Sequence, residues 1–224
     1  RKVSASSGIC LRISIEEASA PTSRDEIKKL MRALQSRPEN CDLVLDLGTP
    51  NFVPIEGFAT AISAIATRIQ AVGNWRSFVL LGGSFPTSMA EIKSSPATID
   101  RNEWVLYKHL AGILHRSNRR VPLFGDYGVS HPAVLEIDMR LVKPAASVRY
   151  TSDDCWYVLK GKNVRENGFE QYRSLCRHLV GSEHFCGDSY SWGDDYIHGC
   201  ASGSVSTGNL TTWRCVGTNH HLTK

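Results

Sequence analysis

The sequence predicts an α/β fold in which strand–helix units repeat around a parallel sheet. Short apolar runs that end abruptly in turn residues recur at a spacing of roughly 35 residues, which is typical of βαβ units. Between these runs, apolar residues return at the spacing of an amphipathic helix. Repeats of this kind form right-handed crossovers, so the strands are expected to lie parallel. The expected strands are 10–14, 42–48, 78–84, 121–128 and, as the weakest copy of the pattern, 148–151.

The first two connections between these strands carry helix signals. Ser23 followed by Glu26 matches a capping box, in which each side chain bonds a backbone amide of the first turn. An apolar stripe follows this box, and a second stripe lies between the second and third strands. The two stripes are Ile27, Leu30, Met31 and Leu34, and Phe58, Ile62, Ile65 and Ile69.

The third connection is longer and ends in another predicted helix. Asp100 and Glu103 match a second capping box, and the apolar positions Trp104 to Leu114 follow it before the strand at Val121. Residues 131–146 fit either a short helix or an irregular crossing. Five strands suit an open doubly wound sheet, whereas eight are needed to close a barrel, so the pattern leaves both architectures open.

The composition changes after Thr151. Residues 1–151 are expected to form the repeated βα units, and residues 152–224 a C-terminal extension packed on them. Segment 156–161 favours an added strand, and an apolar stripe over 169–179 predicts a helix ending at Gly181. The tail from Gly187 onward is expected to form ordered loops and short helices, because it is too aromatic for a disordered end.

Composition narrows the class of protein. Of the 224 residues, 42% are hydrophobic and 21% are charged, which is ordinary for a soluble globular protein. No apolar run approaches the ~20 residues that span a bilayer, and no signal-peptide pattern opens the sequence. A net charge of +4 makes nucleic acid an unfavoured partner. The seven cysteines form no CxxC pair, so buried free thiols in a reducing cytoplasm are expected.

Several glycines and polar residues fall where the predicted strands end. Parallel strands bring their carboxyl ends to one side of a sheet, where α/β proteins place their chemistry. Glycines leave backbone amides close to an anion, and an arginine holds a phosphate or carboxylate with two hydrogen bonds. The ligand-binding candidates are Arg12, Asp46, Gly82, Gly83, Ser84, Tyr127, Gly128, His131 and Tyr150.

Four residues are the candidates for catalysis, namely Asp126, Arg149, His220 and His221. Asp126 would orient Arg149 or act as a base or metal ligand, or else cap the following turn or pair with Arg149 in a structural role. A His–His pair can supply a general acid or base. Adjacent residues point in different directions, however, so a structural, hydrogen-bonded role is the alternative for both histidines.

The sequence assigns no cofactor and no metal. The GxSxG, Walker-type, HExxH and GxGxxG fingerprints do not occur, and no compact spacing of His, Cys, Asp or Glu predicts a metal site. Trp192 and Trp213 are expected to pack in the core rather than to stack on a base.

Six segments, taken in order, resemble the Beta protein family of phages, phage satellites and bacteria. The resemblance covers nearly the whole chain, and the six together are far more specific than any one of them. The segments are 80–86 (LLGGSFP), 103–107 (EWVLY), 124–128 (FGDYG) with His131-Pro132, 149–151 (RYT), 191–194 (SWGD), and 212–214 (TWR) running to 218–221 (TNHH).

The resemblance implies that longer relatives carry about three more βα units, which with five strands here would complete an eight-stranded barrel. The expected fold is therefore the C-terminal part of a TIM-like (β/α) barrel with a C-terminal extension. Family gene neighbourhoods of phage defence and toxin control imply a regulatory or interaction protein. Its strand-end face would bind a partner protein or an anionic small molecule or nucleotide, and the further βα units are themselves a candidate partner of this chain. The alternative is a barrel hydrolase acting on a phosphate ester or nucleotide.

Overall fold

The computed structural model describes residues 8–133 and 143–224, so the expectation for 131–146 falls partly outside the described residues. The strands are β1 (Ile9–Ser14), β2 (Cys41–Asp46), β3 (Ser77–Gly82), β4 (Ala97–Asp100), β5 (Leu123–Asp126), β6 (Ala145–Thr151) and β7 (Cys155–Asn163). The helices are α1 (Ile15–Ser19), α2 (Ser23–Ala33), α3 (Ile55–Gln70), α4 (Asn102–Arg116), α5 (Val164–Asn167), α6 (Gln171–Val180), α7 (Trp192–Ser202) and α8 (Leu210–Thr223), with short 3-10 turns at Pro38–Asn40 and Met89–Glu91.

The chain forms two compact units. The first unit is built from Arg1–Ser84 and Asn102–Tyr127, and the second from Phe85–Arg101 and Gly128–Lys224. Each unit has its own sheet and its own hydrophobic core.

The first unit contains a four-stranded sheet in the order β1-β2-β3-β5, and every neighbouring pair is parallel. This confirms the four parallel strands predicted from the apolar runs. The order follows the chain without a reversal, because each crossover returns to the next position along the sheet. In register, Ser14 lies opposite Asp46, and Gly82 lies opposite Asp126, so the carboxyl ends of the strands share one edge.

One face of this sheet is buried and the other is partly open. Leu43, Leu45 and Phe78 are fully buried in the core formed with the helices. The opposite face carries Val44, which is partly exposed, and Leu123, which is 59% exposed. Strand alternation therefore separates a helix-covered face from a partly apolar face in contact with solvent.

The predicted cap of α2 is wrong. The helix begins at Ser23, so Ser23 lies in the first turn and Thr22 is the N-cap, without a side-chain bond. The capping box forms instead at α1, where the Ser14 hydroxyl accepts from the Glu17 amide and the Glu17 carboxylate accepts from the Ser14 amide. The α2 stripe is also narrower than predicted, because Leu30 is 42% exposed.

The second unit contains a three-stranded antiparallel sheet in the order β4-β7-β6. The expectation that 148–151 would continue the parallel sheet is therefore wrong. The turn between β6 and β7 is short, Thr151 lies opposite Trp156, and such a tight connection can only join antiparallel strands. Tyr150 and Arg149 consequently point to opposite faces of this sheet.

Helices α6, α7 and α8 cover one face of the second sheet and bury Tyr150, Tyr172 and Trp213. The tail was predicted as loops and short helices, but α7 has 11 residues and α8 has 14. These two helices approach closely at Gly193, where a Cβ would lie 2.5 Å from the Val216 carbonyl oxygen. The small residues that favour loops in the sequence thus lie in helices, where they allow close packing.

Two further expectations can be compared with the structure. Trp213 is 4% exposed, as expected for a core residue, whereas Trp192 is 51% exposed and the prediction for it is wrong. All seven cysteines are free thiols, but Cys10, Cys186 and Cys215 are exposed, so the expectation that the free thiols are buried is wrong for these three. Within the described residues, none of the helices combines the length and apolar character needed to cross a bilayer.

Candidate functional site

The strand ends of the first unit bring together Arg12, Asp46 and Tyr127. Arg12 Nε donates to Asp46 Oδ2 at 2.7 Å, and Tyr127 Oη donates to Asp46 Oδ1 at 2.6 Å. Arg12 Nη2 also donates to Tyr127 Oη at 3.0 Å. The Asp46 side chain is nearly buried and the Arg12 side chain is 61% exposed. The carboxylate therefore orients a guanidinium that faces solvent.

This network fixes the protonation of its members. Burial opposes ionisation of Asp46, but hydrogen bonds from Tyr127, the Gly48 amide and Arg12 outweigh it and hold the pKa of Asp46 below its ordinary value. Burial, and then the hydrogen bond to Asp46, raise the pKa of Tyr127 to about 12. Asp46 is thus a carboxylate and Tyr127 a neutral donor at physiological pH.

The glycines beside this network serve close packing. The Gly83 amide donates to the Gly48 carbonyl at 2.9 Å, so it is not available to an anion. A Cβ on Gly83 would lie 3.0 Å from the ring of Tyr127. The Ser84 hydroxyl donates to the Glu103 carboxylate and accepts from the Asn102 amide, which ties the end of β3 to the start of α4.

In the second unit, Tyr150 and His220 belong to a buried network centred on Asp194. Tyr150 Oη donates to Asp194 Oδ1 at 2.6 Å, and Ser191 Oγ donates to Asp194 Oδ2 at 2.5 Å. His220 Nδ1 lies 2.8 Å from Asp194 Oδ2, and its Nε2 lies 2.8 Å from the Thr151 carbonyl oxygen. The side chains of His220 and Asp194 are both 0% exposed.

The hydrogen-bond partners define the charge of His220. A carbonyl oxygen can only accept, so Nε2 must carry a hydrogen, and a carboxylate at Nδ1 requires a hydrogen there as well. The ring is therefore an imidazolium paired with the Asp194 carboxylate, whose pKa is lowered because hydrogen bonds from His220, Ser191 and Tyr150 outweigh the effect of burial. With every polar atom occupied and no solvent access, the catalytic candidate His220 stands in a structural position.

The neighbouring His221 has different surroundings. Its Nδ1 lies 2.9 Å from the Thr151 hydroxyl, and its ring lies 5.0 Å from the ring of Trp156. Gly128 is close by, since a Cβ there would lie 3.9 Å from the His221 ring, and its φ of +63° favours glycine. The two histidines therefore take separate packing roles, as their adjacency predicts.

Arg149 lies on the face of the second sheet opposite Tyr150. Its Nη1 donates to the Val129 carbonyl at 2.5 Å, and its guanidinium lies 4.9 Å above the ring of Phe85. Burial, and then the nearness of Arg214, lower the pKa of Arg149 to about 10. The side chain is held in one position by neutral groups, and among the described residues that line its cavities there is no carboxylate to offset its positive charge.

Arg149 lines two adjoining cavities of the second unit. The larger has a volume of about 480 Å³ and the smaller about 260 Å³. Both are also lined by Arg214, Thr87 and Met89, so the two arginines stand where the cavities meet. The candidate His131 lines the smaller cavity, and its Nδ1 accepts from the Ala133 amide at 3.0 Å.

The larger cavity is basic. Among the described residues that line it, none is Asp or Glu, and the basic side chains are Lys143, Arg149, Lys160 and Arg214. Three of them donate hydrogen bonds to neutral groups. Arg149 donates to the Val129 carbonyl, Lys160 Nζ donates to the Ile92 carbonyl at 2.9 Å, and Arg214 donates to the Ser130 hydroxyl. The first turn of α8 also lies on the wall and contains no acidic residue, so its dipole adds positive potential.

The structure thus places the predicted site residues in separate groups. Arg12, Asp46 and Tyr127 meet in the first unit, where Gly82, Gly83, Ser84 and Asp126 lie at the same strand ends. In the second unit, Arg149 and His131 line the basic cavities, whereas Tyr150, His220 and His221 pack elsewhere.

Sequence reasoning missed Lys143, Lys160 and Arg214 as site residues. Arg214 was visible only as part of the TWR segment, and Lys160 only as a polar end to an apolar run. The alternation of side chains along β7 was the signal available for Lys160. It places Lys160 on the same face as Val158, and Val158 is the residue that lies opposite Arg149.

The comparisons with known proteins give one match. The family model described as Beta protein matches residues 1–224, the whole of this sequence. No curated protein and no solved structure matches. Among the described residues, no group of three or more His, Cys, Asp or Glu side chains is placed to hold a metal ion.

Proposed function

The chain belongs to the Beta protein family, and we propose that it acts as a phage-type regulatory or interaction component that recognises a phosphate-bearing ligand. A role in phage defence or toxin control is part of this proposal. So is a cytoplasmic location, which free thiols favour. The observation that carries the proposal is the larger cavity of the second unit, with four basic side chains on its wall and no carboxylate among its described lining residues.

The charge arrangement supports an anion rather than a neutral ligand. Arginine and lysine side chains in proteins are ordinarily offset by carboxylates when they are buried. Arg149 is instead fixed by the Val129 carbonyl and the Phe85 ring with Arg214 close by. Two guanidinium groups held together by neutral groups match the bidentate recognition of a phosphate.

Isothermal titration with inorganic phosphate, in a buffer without other multivalent anions, tests the proposal. We expect saturable binding that weakens with added salt, because part of the wall is open to solvent. Arg214→Gln should weaken binding by at least about tenfold, since a charge-assisted hydrogen bond contributes about 1.5–3 kcal/mol. Arg177→Gln is the matched control, because Arg177 is an exposed arginine of the same unit that does not line the cavity. Equal binding by the Arg214 and Arg177 variants would contradict the proposal.

A hydrolase acting on a phosphate ester or nucleotide is the second candidate, and His131 is the observation in its favour. Because Nδ1 accepts from the Ala133 amide, the ring carries its hydrogen on Nε2, which can donate a hydrogen bond to an oxygen of the reacting phosphate. His131 also lines a cavity together with Arg149 and Arg214. Release of phosphate from nucleotides, lost in His131→Asn while phosphate binding persists, would establish this candidate. Binding without turnover would leave the first proposal in place.

We also propose that the parallel sheet of the first unit is an arc of a (β/α) barrel. Its strands follow chain order, whereas an open doubly wound sheet reverses order at a switch point. Parallel sheets are normally covered on both faces, yet Leu123 on the open face is 59% exposed. Further strands, from the same protein or a partner, would enclose this face and bring Arg12 and Tyr127 to the barrel mouth.

Thiol labelling of the full-length protein tests the barrel. A cysteine introduced by Leu123→Cys should resist alkylation if further strands enclose it. A cysteine introduced by Leu222→Cys, at a position that is 80% exposed, should react freely and calibrates the reagent. Equal rates at both positions would rule out the barrel.

A further inference from the structure

We infer that the larger cavity binds a nucleoside diphosphate, with one phosphate between Arg149 and Arg214 and the other beside Lys160. This inference rests on the proposed function and specifies its ligand. Three properties of the cavity carry it, namely the number of its charges, their positions on the sheet and the volume left over.

The number of charges favours more than one phosphate. The wall carries four basic side chains, and the described residues that line it include no carboxylate to offset them. A carboxylate ligand would neutralise one of these charges, and a single phosphate at most two. A diphosphate carries the two or three negative charges that leave little uncompensated charge in the site.

The positions of the charges favour adjacent phosphates. Ser147 on β6 lies directly opposite Lys160 on β7, and Arg149 follows Ser147 on the same face of the sheet. Arg149 and Lys160 are therefore diagonal neighbours, at a spacing of roughly 7–8 Å with the Cβ atoms somewhat closer. Arginine and lysine side chains are long enough that, from this spacing, each can reach one of two phosphates that share a bridging oxygen. The Ile92 carbonyl holds Lys160 Nζ at 2.9 Å, which fixes the lysine on this face.

The volume favours an organic group attached to the phosphates. A cavity of about 480 Å³ lies within the range of roughly 300–1,000 Å³ that small-molecule sites occupy. Beyond the basic side chains, its wall includes the apolar residues Met89, Pro144 and Leu210. Leu210 is 41% exposed, so it offers apolar surface at the rim. A nucleoside would cover this surface, whereas free pyrophosphate would leave it in water.

The β6 strand provides access for such a ligand. It is an edge strand of the sheet order β4-β7-β6, so one side of it is not covered by another described strand. The first turn of α8 lies against the cavity with Leu210 and Arg214. A ligand can therefore enter beside this edge with its phosphates toward the basic wall and its nucleoside toward Leu210.

Isothermal titration of the intact chain with a ligand series tests the inference. The series contains inorganic phosphate, pyrophosphate, and the mono- and diphosphates of adenosine, guanosine, cytidine and uridine. At least one nucleoside diphosphate should bind about tenfold more tightly than both pyrophosphate and its own monophosphate. Monophosphates that bind as tightly as diphosphates, or pyrophosphate that binds as tightly as every nucleoside diphosphate, would overturn the inference and leave phosphate recognition standing.

Matched lysine variants locate the second phosphate. Lys160→Met should remove most of the preference for diphosphate over monophosphate, about tenfold. Lys162→Met is the control on the same strand, because Lys162 is exposed and does not line the cavity. An unchanged preference in Lys160→Met would overturn the assignment.

A short single-stranded oligonucleotide that binds more tightly than any mononucleotide would also overturn the inference, in favour of a nucleic-acid backbone as the ligand. If no member of the series binds, the proposed function fails as well.

Discussion

Arg149 and Arg214 line the same cavity, and after burial the nearness of Arg214 is the largest cause that lowers the pKa of Arg149 to about 10. Two positive charges are thus held close together, and the described part of the cavity wall contributes no carboxylate to offset them. Such an arrangement costs folding free energy in the absence of a ligand, and proteins keep costs of this kind where a function requires them. An anion between the two guanidinium groups would remove the repulsion.

Arg214→Gln should therefore stabilise the ligand-free protein. Loss of the like charge relieves Arg149, and we expect the free energy of unfolding to rise by roughly 0.5 kcal/mol, the size of a charge interaction that is partly open to solvent. Urea unfolding at low ionic strength, with Arg177→Gln measured alongside, provides the check. A clear loss of stability in the Arg214 variant would mean that its bond to Ser130 outweighs the repulsion.

Phosphate binding should weaken in alkali. Because the pKa of Arg149 is lowered to about 10, the guanidinium is charged at neutral pH and loses its proton as the pH rises through that value. Titrations from neutral pH to about pH 11 should show an affinity that stays level and then falls near the Arg149 pKa. An affinity that does not change over this range would indicate that Arg149 does not hold the anion.

Asp46→Asn should destabilise the first unit in a pH-dependent way. The substitution removes the carboxylate that accepts from Arg12, Tyr127 and Gly48, and we expect a loss of about 1–2 kcal/mol at neutral pH, since Arg12 is largely exposed. The folded-state pKa of Asp46 is lowered, so its contribution is present above the unfolded pKa of about 3.9 and is lost as the pH falls through the folded value. Urea unfolding curves of the two proteins should converge in acid, and a constant difference at every pH would refute the assignment.

His220→Gln should destabilise the second unit by about 3–5 kcal/mol, because it leaves the Asp194 carboxylate buried without its counter-ion. His221→Gln, at the adjacent position, removes the contact with the Thr151 hydroxyl and the ring contact with Trp156, and it should cost less, about 1 kcal/mol. Thermal unfolding of both variants gives the comparison. Equal and small losses would show that His220 is not the structural group that its burial indicates.

The parallel sheet could be predicted because its signal is local. Each of the runs ending at Asp46, Gly82 and Asp126 combines apolar residues with turn residues, and strands covered by helices require that pattern. The run at Val148–Thr151 carries the same local pattern, yet it pairs antiparallel with β7. Only the short turn after Thr151 distinguishes this antiparallel strand from the parallel ones, and the spacing of apolar residues carries no information about that turn.

The site could be predicted only in part, because it depends on side chains that are distant in the sequence. Arg149 stood out at the end of a strand, but Arg214 comes from α8 and Lys160 from β7, and no spacing links them. The ligand-binding candidate Tyr150 and the catalytic candidate His220 also lie in a buried network that no spacing in the sequence indicates. Asp194 is bonded to the Tyr150 hydroxyl and to Nδ1 of His220, and the Thr151 carbonyl is bonded to Nε2. Asp194 appeared in the sequence only as an acid in the SWGD segment.

A crystal structure of this chain grown with pyrophosphate would by itself locate the anion. We expect pyrophosphate in the larger cavity, with oxygens within hydrogen-bond distance of Arg149 and Arg214 and with one phosphate beside Lys160. Pyrophosphate bound at Arg12 in the first unit, or a cavity that holds only water at a saturating concentration, would contradict this expectation.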